Sequence, residues 1–120
     1  ENVINRSQVE NLFVTSSGPI PPNPSELLGS KKMNAFINEA TSVFDMIIFD
    51  TPPVLAVTDA QLLANYVDGS ILVVRSKDTE YEAAIRAKEA LEPAKAKLLG
   101  AVLNDRDKKA TDYYYYYGDQ

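Results

Sequence analysis

The chain has 120 residues, 45% hydrophobic and 24% charged, with a formal charge of −5, which is enough for one globular domain with a modest core. It contains no cysteine and no histidine, so disulfides, thiol nucleophiles, histidine general bases and the usual zinc sites are excluded. The acidic balance, with no basic block longer than Lys31-Lys32 or Lys108-Lys109, argues against nucleic-acid binding. The apolar runs are of strand length, so neither a membrane span nor a signal peptide is expected and the expected compartment is the cytoplasm. Glu1 is not an initiator methionine, which points to a fragment.

In chain order, "NLFVTSS" at 11–17 reads as a short strand and "GPIPPNPSELL" as a proline-rich loop leading into a helix. Asn23, Pro24 and Glu26 have the spacing of an N-cap, a first-turn proline and a capping-box carboxylate. The helix is expected over about 25–42, with Leu27, Leu28, Phe36, Ile37, Ala40 and Phe44 at helical spacing and Gly29 as its weak point. Met46 to Phe49 form an apolar run ending in Asp50, the pattern of a strand buried on both faces of a parallel sheet.

Thr58 with Gln61, and Thr79 with Glu82, make two further capping boxes, before "DAQLLANYV" and "EYEAAIRAKEALE"; Gly69 closes the first unit and Pro93 the second. "SILVVRS" at 70–76 and "KLLGAVLN" at 97–104 are the remaining strands. This alternation predicts an α/β fold with a parallel sheet and flanking helices. Beyond Asn104 the sequence turns polar and then to five tyrosines, Tyr113, Tyr114, Tyr115, Tyr116 and Tyr117, and reads as a flexible tail.

Ligands of open α/β sheets bind beyond the carboxyl ends of the strands, which makes Asp50 a candidate magnesium-holding carboxylate, or alternatively a residue that only caps a loop. Pro52 and Pro53 stiffen the segment after it. Arg75 and Asn104 end the next two strands; a surface ion pair and a strand-end turn are their plainer alternatives. Asp59 is explained by its place at a helix start, where a carboxylate is favoured.

The stretch "FDMIIFDTPPVLAVTDAQLLANYVDGSILVVRSKDTE" resembles the Walker B region of the bacterial tyrosine kinases, within the deviant P-loop ATPases related to MinD. The loop "SSGPIPPNPSELLGS" and the tyrosine-rich end match that family in the same order. The resemblance implies a protein-tyrosine autokinase that phosphorylates its own tail with ATP and Mg2+ and regulates capsular or extracellular polysaccharide synthesis and export. Asp50, paired with Pro53, would serve catalysis by holding magnesium, Asn104 would bond the adenine, Arg75 would approach phosphate or a neighbouring subunit, and Tyr113 to Tyr117 would be the phosphoacceptors.

It implies as partners a transmembrane polysaccharide copolymerase acting as activator, neighbouring kinase subunits in a ring and a protein-tyrosine phosphatase, with the protein held at the inner face of the membrane. Residues 1–104 would be the carboxyl-terminal half of a P-loop kinase domain, of Rossmann-like three-layer fold, and 105–120 the tail. No G-x-x-x-x-G-K-[ST] occurs in the 120 residues, nor an apolar strand followed by D-x-D, so the chain alone is expected to be inactive. Two other readings stand beside this one: a non-catalytic phosphoacceptor and interaction module, and a MinD-like ATPase.

Overall fold

The computed structural model describes residues 3–94 and 97–106; the five tail tyrosines lie outside them. The chain opens with a small antiparallel hairpin, β1 (Asn5–Arg6) and β2 (Phe13–Val14), in which Asn5 faces Val14 and Arg6 faces Phe13. The Ser7 hydroxyl accepts from the Val9 amide at 3.0 Å, and Asn11 takes a φ of 60°, a left-handed conformation that asparagine tolerates. The strand expected at 11–17 is therefore two residues long and belongs to a hairpin rather than to the parallel sheet. Its aromatic side chain decides its place: the Phe13 ring lies 5.3 Å from that of Phe44, and the Arg6 guanidinium sits 5.8 Å from the Phe13 centroid.

The single helix expected over 25–42 is two helices, α1 (Pro24–Leu28) and α2 (Lys31–Val43), broken at Gly29 and Ser30. The Ser30 hydroxyl accepts from the Met33 amide at 3.1 Å, a side-chain N-cap that restarts the helix. Ile37 and Ala40 are the buried residues of α2, three apart on one face. None of the three expected capping boxes forms. The Asn23 amide donates instead to the Glu26 carboxylate at 3.1 Å, Thr58 shares a 3.1 Å hydroxyl hydrogen bond with Ser25, and the Thr79 hydroxyl accepts from the Arg75 amide at 3.2 Å.

The largest departure is at Met46 to Phe49. This run carries no strand, and Met46 and Ile48 are 77% and 82% exposed. A strand exists through its ladder, and the described residues provide no ladder to this one.

Helix α3 (Asp59–Leu63) follows, and tighter turns through Asn65 and Tyr66 lead into β3 (Gly69–Arg75). Helix α4 (Tyr81–Leu91) then crosses to β4 (Lys97–Asn104), and the two strands pair in parallel. The helix ends just before Pro93, which cannot continue it. The register is irregular between Ser70 and Ile71, beside Gly69, where an added Cβ would lie 2.6 Å from a Leu99 methyl. Ala64 and Leu91 anchor the core, with Val54, Ala60, Val67, Leu72, Ala94 and Leu98 packed around them. The core thus lies between α3, α4 and one face of the β3–β4 pair, an α/β arrangement built on a parallel sheet.

Candidate active site

Of the three candidates, Arg75 and Asn104 stand at the carboxyl ends of β3 and β4, the edge at which parallel sheets bind ligands, whereas Asp50 follows the apolar run 46–49, which carries no strand. The structure brings two of them together. Arg75 and Asn104 are register partners at the ends of β3 and β4, and the Ser76 amide donates to the Asn104 carbonyl at 2.9 Å. In a parallel ladder such partners present their side chains on the same face.

A tight turn holds Arg75. Its carbonyl accepts from the amides of Asp78 and Thr79 at 3.3 and 3.0 Å, and its guanidinium donates to the Asp78 carboxylate at 2.9 Å. That hydrogen bond first, and the charge of Asp78 second, hold the guanidinium above its ordinary value. Lys77 reaches Asp105 at 3.8 Å across the same strand ends, and Asp105 adopts a φ of 55°. The strand-end pairing of Lys77 with Asp105 had no sequence signal, because it depends on β3 and β4 lying side by side; the Thr79 contact is local, its hydroxyl accepting from the Arg75 amide four residues back.

Asp50 is exposed and followed by Pro52, Pro53 and a turn in which the Ala56 amide donates to the Pro53 carbonyl at 2.9 Å. The Ser25–Thr58 hydroxyl contact fastens that loop to α1. Among the described residues no hydrogen bond or ion pair joins Asp50 to Arg75 or Asn104, and no three acidic groups gather to make a metal site. A lone exposed carboxylate fits a magnesium ion that keeps its waters and is shared with substrate phosphates, not one caged by protein.

Two surface depressions lie elsewhere, one between the start of α2 and Tyr66, the other among Ser25, Thr58, Asn65 and Pro93. Asp59 opens α3 as its first-turn carboxylate. Among the described residues no helix is long and apolar enough to cross a membrane.

No family model matches the chain. Over 118 residues it is 52% identical to the tyrosine-protein kinase YwqD of Bacillus subtilis (strain 168), a match covering 98% of this chain and 50% of YwqD. The chain is a relative of the bacterial tyrosine-protein kinases. It is likewise 38% identical over 112 residues to the tyrosine-protein kinase CpsD of Streptococcus agalactiae serotype III (strain NEM316), covering 93% of this chain and 48% of CpsD.

Its fold agrees with that of two solved kinase domains. The VpsO kinase domain superposes with a TM-score of 0.79 at 30% identity, over 87% of this chain and 51% of that one. The BceF tyrosine kinase domain gives 0.75 at 33% identity, over 84% and 42%. The chain spans about half the length of YwqD and of CpsD.

Proposed function

We propose that the chain is the carboxyl-terminal half of a protein-tyrosine autokinase domain, that its tail tyrosines are the acceptors, and that it regulates capsular or extracellular polysaccharide synthesis and export. The observation that carries this reading is the 52% identity to a tyrosine-protein kinase across 98% of the chain, in a sequence that also bears Asp50 at an apolar run's end and five tail tyrosines.

In the reaction, a tyrosine oxygen of residues 113–117 forms a bond to the γ-phosphorus of ATP, the bond from that phosphorus to the β,γ-bridging oxygen breaks, ADP leaves and the phenolic proton is released. Asp50, in an exposed, proline-stiffened position, would hold magnesium through water, and the ion would supply neutralisation of the phosphate charge. Asn104 presents its side-chain amide to the adenine, and Arg75 exchanges Asp78 for a phosphate or a neighbouring subunit. An exposed ion pair gives way to such a partner with little loss.

The loop of backbone amides and the lysine that cradle the phosphates come from residues outside these 120. The activity is exerted at the inner face of the membrane, with a transmembrane copolymerase as activator, neighbouring subunits in a ring and a phosphatase that resets the tail.

The test is transfer of label from γ-labelled ATP, using this chain alone and this chain co-expressed with the YwqD residues that the match leaves uncovered. Label on residues 113–117 only in the second case is expected. Turnover by the chain alone, or undiminished label after all five tyrosines are changed to phenylalanine, would overturn the reading. Label from intact YwqD but not from the assembled halves would favour the acceptor module instead.

A further inference from the structure

The chain has seven tyrosines, of which five form the run at 113–117 and two, Tyr66 and Tyr81, lie among the described residues. The two differ in access. Tyr66 is half-buried in the turn between α3 and β3, its amide bonded to the Leu63 carbonyl at 2.9 Å, and it lines the depression at the start of α2. Tyr81 is 77% exposed, and among the described residues its phenol has no hydrogen-bond partner.

The residues that lead up to Tyr81 repeat those that lead up to the first tyrosine of the tail. Lys77-Asp78-Thr79-Glu80-Tyr81 and Lys109-Ala110-Thr111-Asp112-Tyr113 both read K-x-T-[DE]-Y. Tyr66, which follows Leu62-Leu63-Ala64-Asn65, shares none of this pattern. A cation, a hydroxyl and a carboxylate at fixed distances from a phenol give a binding site charges of both signs to match, which is how register on a peptide is fixed.

The fold also presents this second copy much as a peptide would. Residues 76–78 form a turn, 79 and 80 belong to no helix or strand, and Glu80 has a φ of −67° and a ψ of 148°, an extended conformation. Tyr81 is the first residue of α4, and the Glu80 side chain makes no capping hydrogen bond. The helix entry is held by the Ala84 amide, which donates to the Glu80 carbonyl at 3.1 Å, and an uncapped helix end opens at small cost. Tyr81 can therefore enter an active site while the core at Ala64 and Leu91 stays packed. Lys77 holds Asp105 at 3.8 Å in an exposed ion pair, which gives way to another partner with little loss.

We propose that Tyr81 is a second phosphoacceptor, recognised through the same K-x-T-[DE]-Y pattern as Tyr113. The proposal rests on the kinase reading above and extends it from the tail to the start of α4. The phenolic oxygen of Tyr81 forms a bond to the γ-phosphorus of ATP, the bond from that phosphorus to the β,γ-bridging oxygen breaks, ADP leaves and the phenolic proton passes to solvent. The product carries about 1.5 to 2 further negative charges between Glu80 and Glu82. They lie two residues beyond Thr79, whose hydroxyl accepts from the Arg75 amide at 3.2 Å, so the new charge stands at the end of the sheet that Arg75 and Asn104 share.

The experiment uses the 120-residue chain with Tyr113 to Tyr117 changed to phenylalanine. It is co-expressed with the YwqD residues that the match leaves uncovered and, separately, mixed with intact YwqD and ATP, and phosphotyrosine is mapped by mass spectrometry on the peptides of this chain. Phosphate on Tyr81 is expected, abolished by Tyr81→Phe and unchanged by Tyr66→Phe. Glu80→Gln, which removes no capping bond, should lower the yield at Tyr81 by about 5- to 10-fold, the worth of one polar contact.

An unaltered yield in Glu80→Gln, or as much phosphate on Tyr66 as on Tyr81, would overturn the proposal. Phosphate on the tail of the native chain with none on Tyr81 would overturn it too, while leaving the kinase reading in place. Phosphate on Tyr81 from intact YwqD but not from the assembled halves would sustain the acceptor site and remove this chain from the catalytic role.

Discussion

Arg75 and Asn104 stand opposite each other in the parallel ladder, so a turn after β3 and the last residue of β4 form one corner of the sheet. That corner is tied by the Ser76 amide to the Asn104 carbonyl, which leaves the backbone fixed whatever the two side chains do. In the assembled kinase, Asn104→Ala should raise KM for ATP by about 5- to 10-fold, the worth of one hydrogen bond, with kcat little changed. Steady-state kinetics over an ATP series checks it; a fall in kcat alone would remove Asn104 from nucleotide binding.

Arg75 should add no pH dependence to stability in the ordinary range. Its guanidinium is held above its ordinary value by the Asp78 hydrogen bond and then by the Asp78 charge. The stability linked to its proton is therefore complete below the ordinary arginine value and lost only as pH rises through the raised one. Urea curves of the native chain and Arg75→Ala should differ by the same small amount at about pH 6 and about pH 9.

Asp50→Asn should leave urea stability unaltered, since the side chain is exposed, yet lower phosphoryl transfer by the assembled kinase by about 100-fold or more, as loss of a metal-holding charge does. The assay is label transfer at saturating ATP, beside a denaturation curve of the same protein.

Ser30→Ala should cost about 1 kcal/mol through loss of the α2 cap, whereas Asn23→Ala, whose side chain bonds Glu26 and not a helix amide, should cost no more than about 0.5 kcal/mol. Chemical denaturation followed by circular dichroism separates the two.

The two strand glycines should respond in opposite directions. At Gly69 an alanine Cβ meets Leu99 Cδ1 at 2.6 Å and Cγ at 2.8 Å, so Gly69→Ala should destabilise by about 1 kcal/mol. Leu99→Ala in the same molecule should relieve the clash, a coupling that a double-mutant cycle detects. At Gly100 nothing lies within 4 Å of the added carbon, and Gly100→Ala should stabilise the chain by about 0.5 kcal/mol.

Much of the architecture was legible locally. The apolar runs at 70–76 and 97–104 are β3 and β4 almost residue for residue. Pro93 ends α4 because a proline cannot continue a helix. The weakness at Gly29 is where the long helix breaks. The caps were not legible, because a threonine or asparagine has several partners to choose from. Thr58 bonds Ser25, 33 positions away, and Thr79 accepts from the amide of Arg75, the last residue of β3, and neither choice is encoded in the four residues of a capping motif.

Composition and order alone determined the chemistry available: no histidine or cysteine, a carboxylate after one apolar run, an arginine and an asparagine after two others, and a block of phenols at the end. Tertiary structure decided which of these meet. Arg75 and Asn104 become neighbours because β3 and β4 pair in parallel, and Met46 to Phe49, although written as a strand, has no ladder among the described residues. The reason is that burial preference belongs to side chains and is read one residue at a time, whereas a strand is a set of hydrogen bonds to another segment. Its existence is settled by the partner as much as by its own sequence.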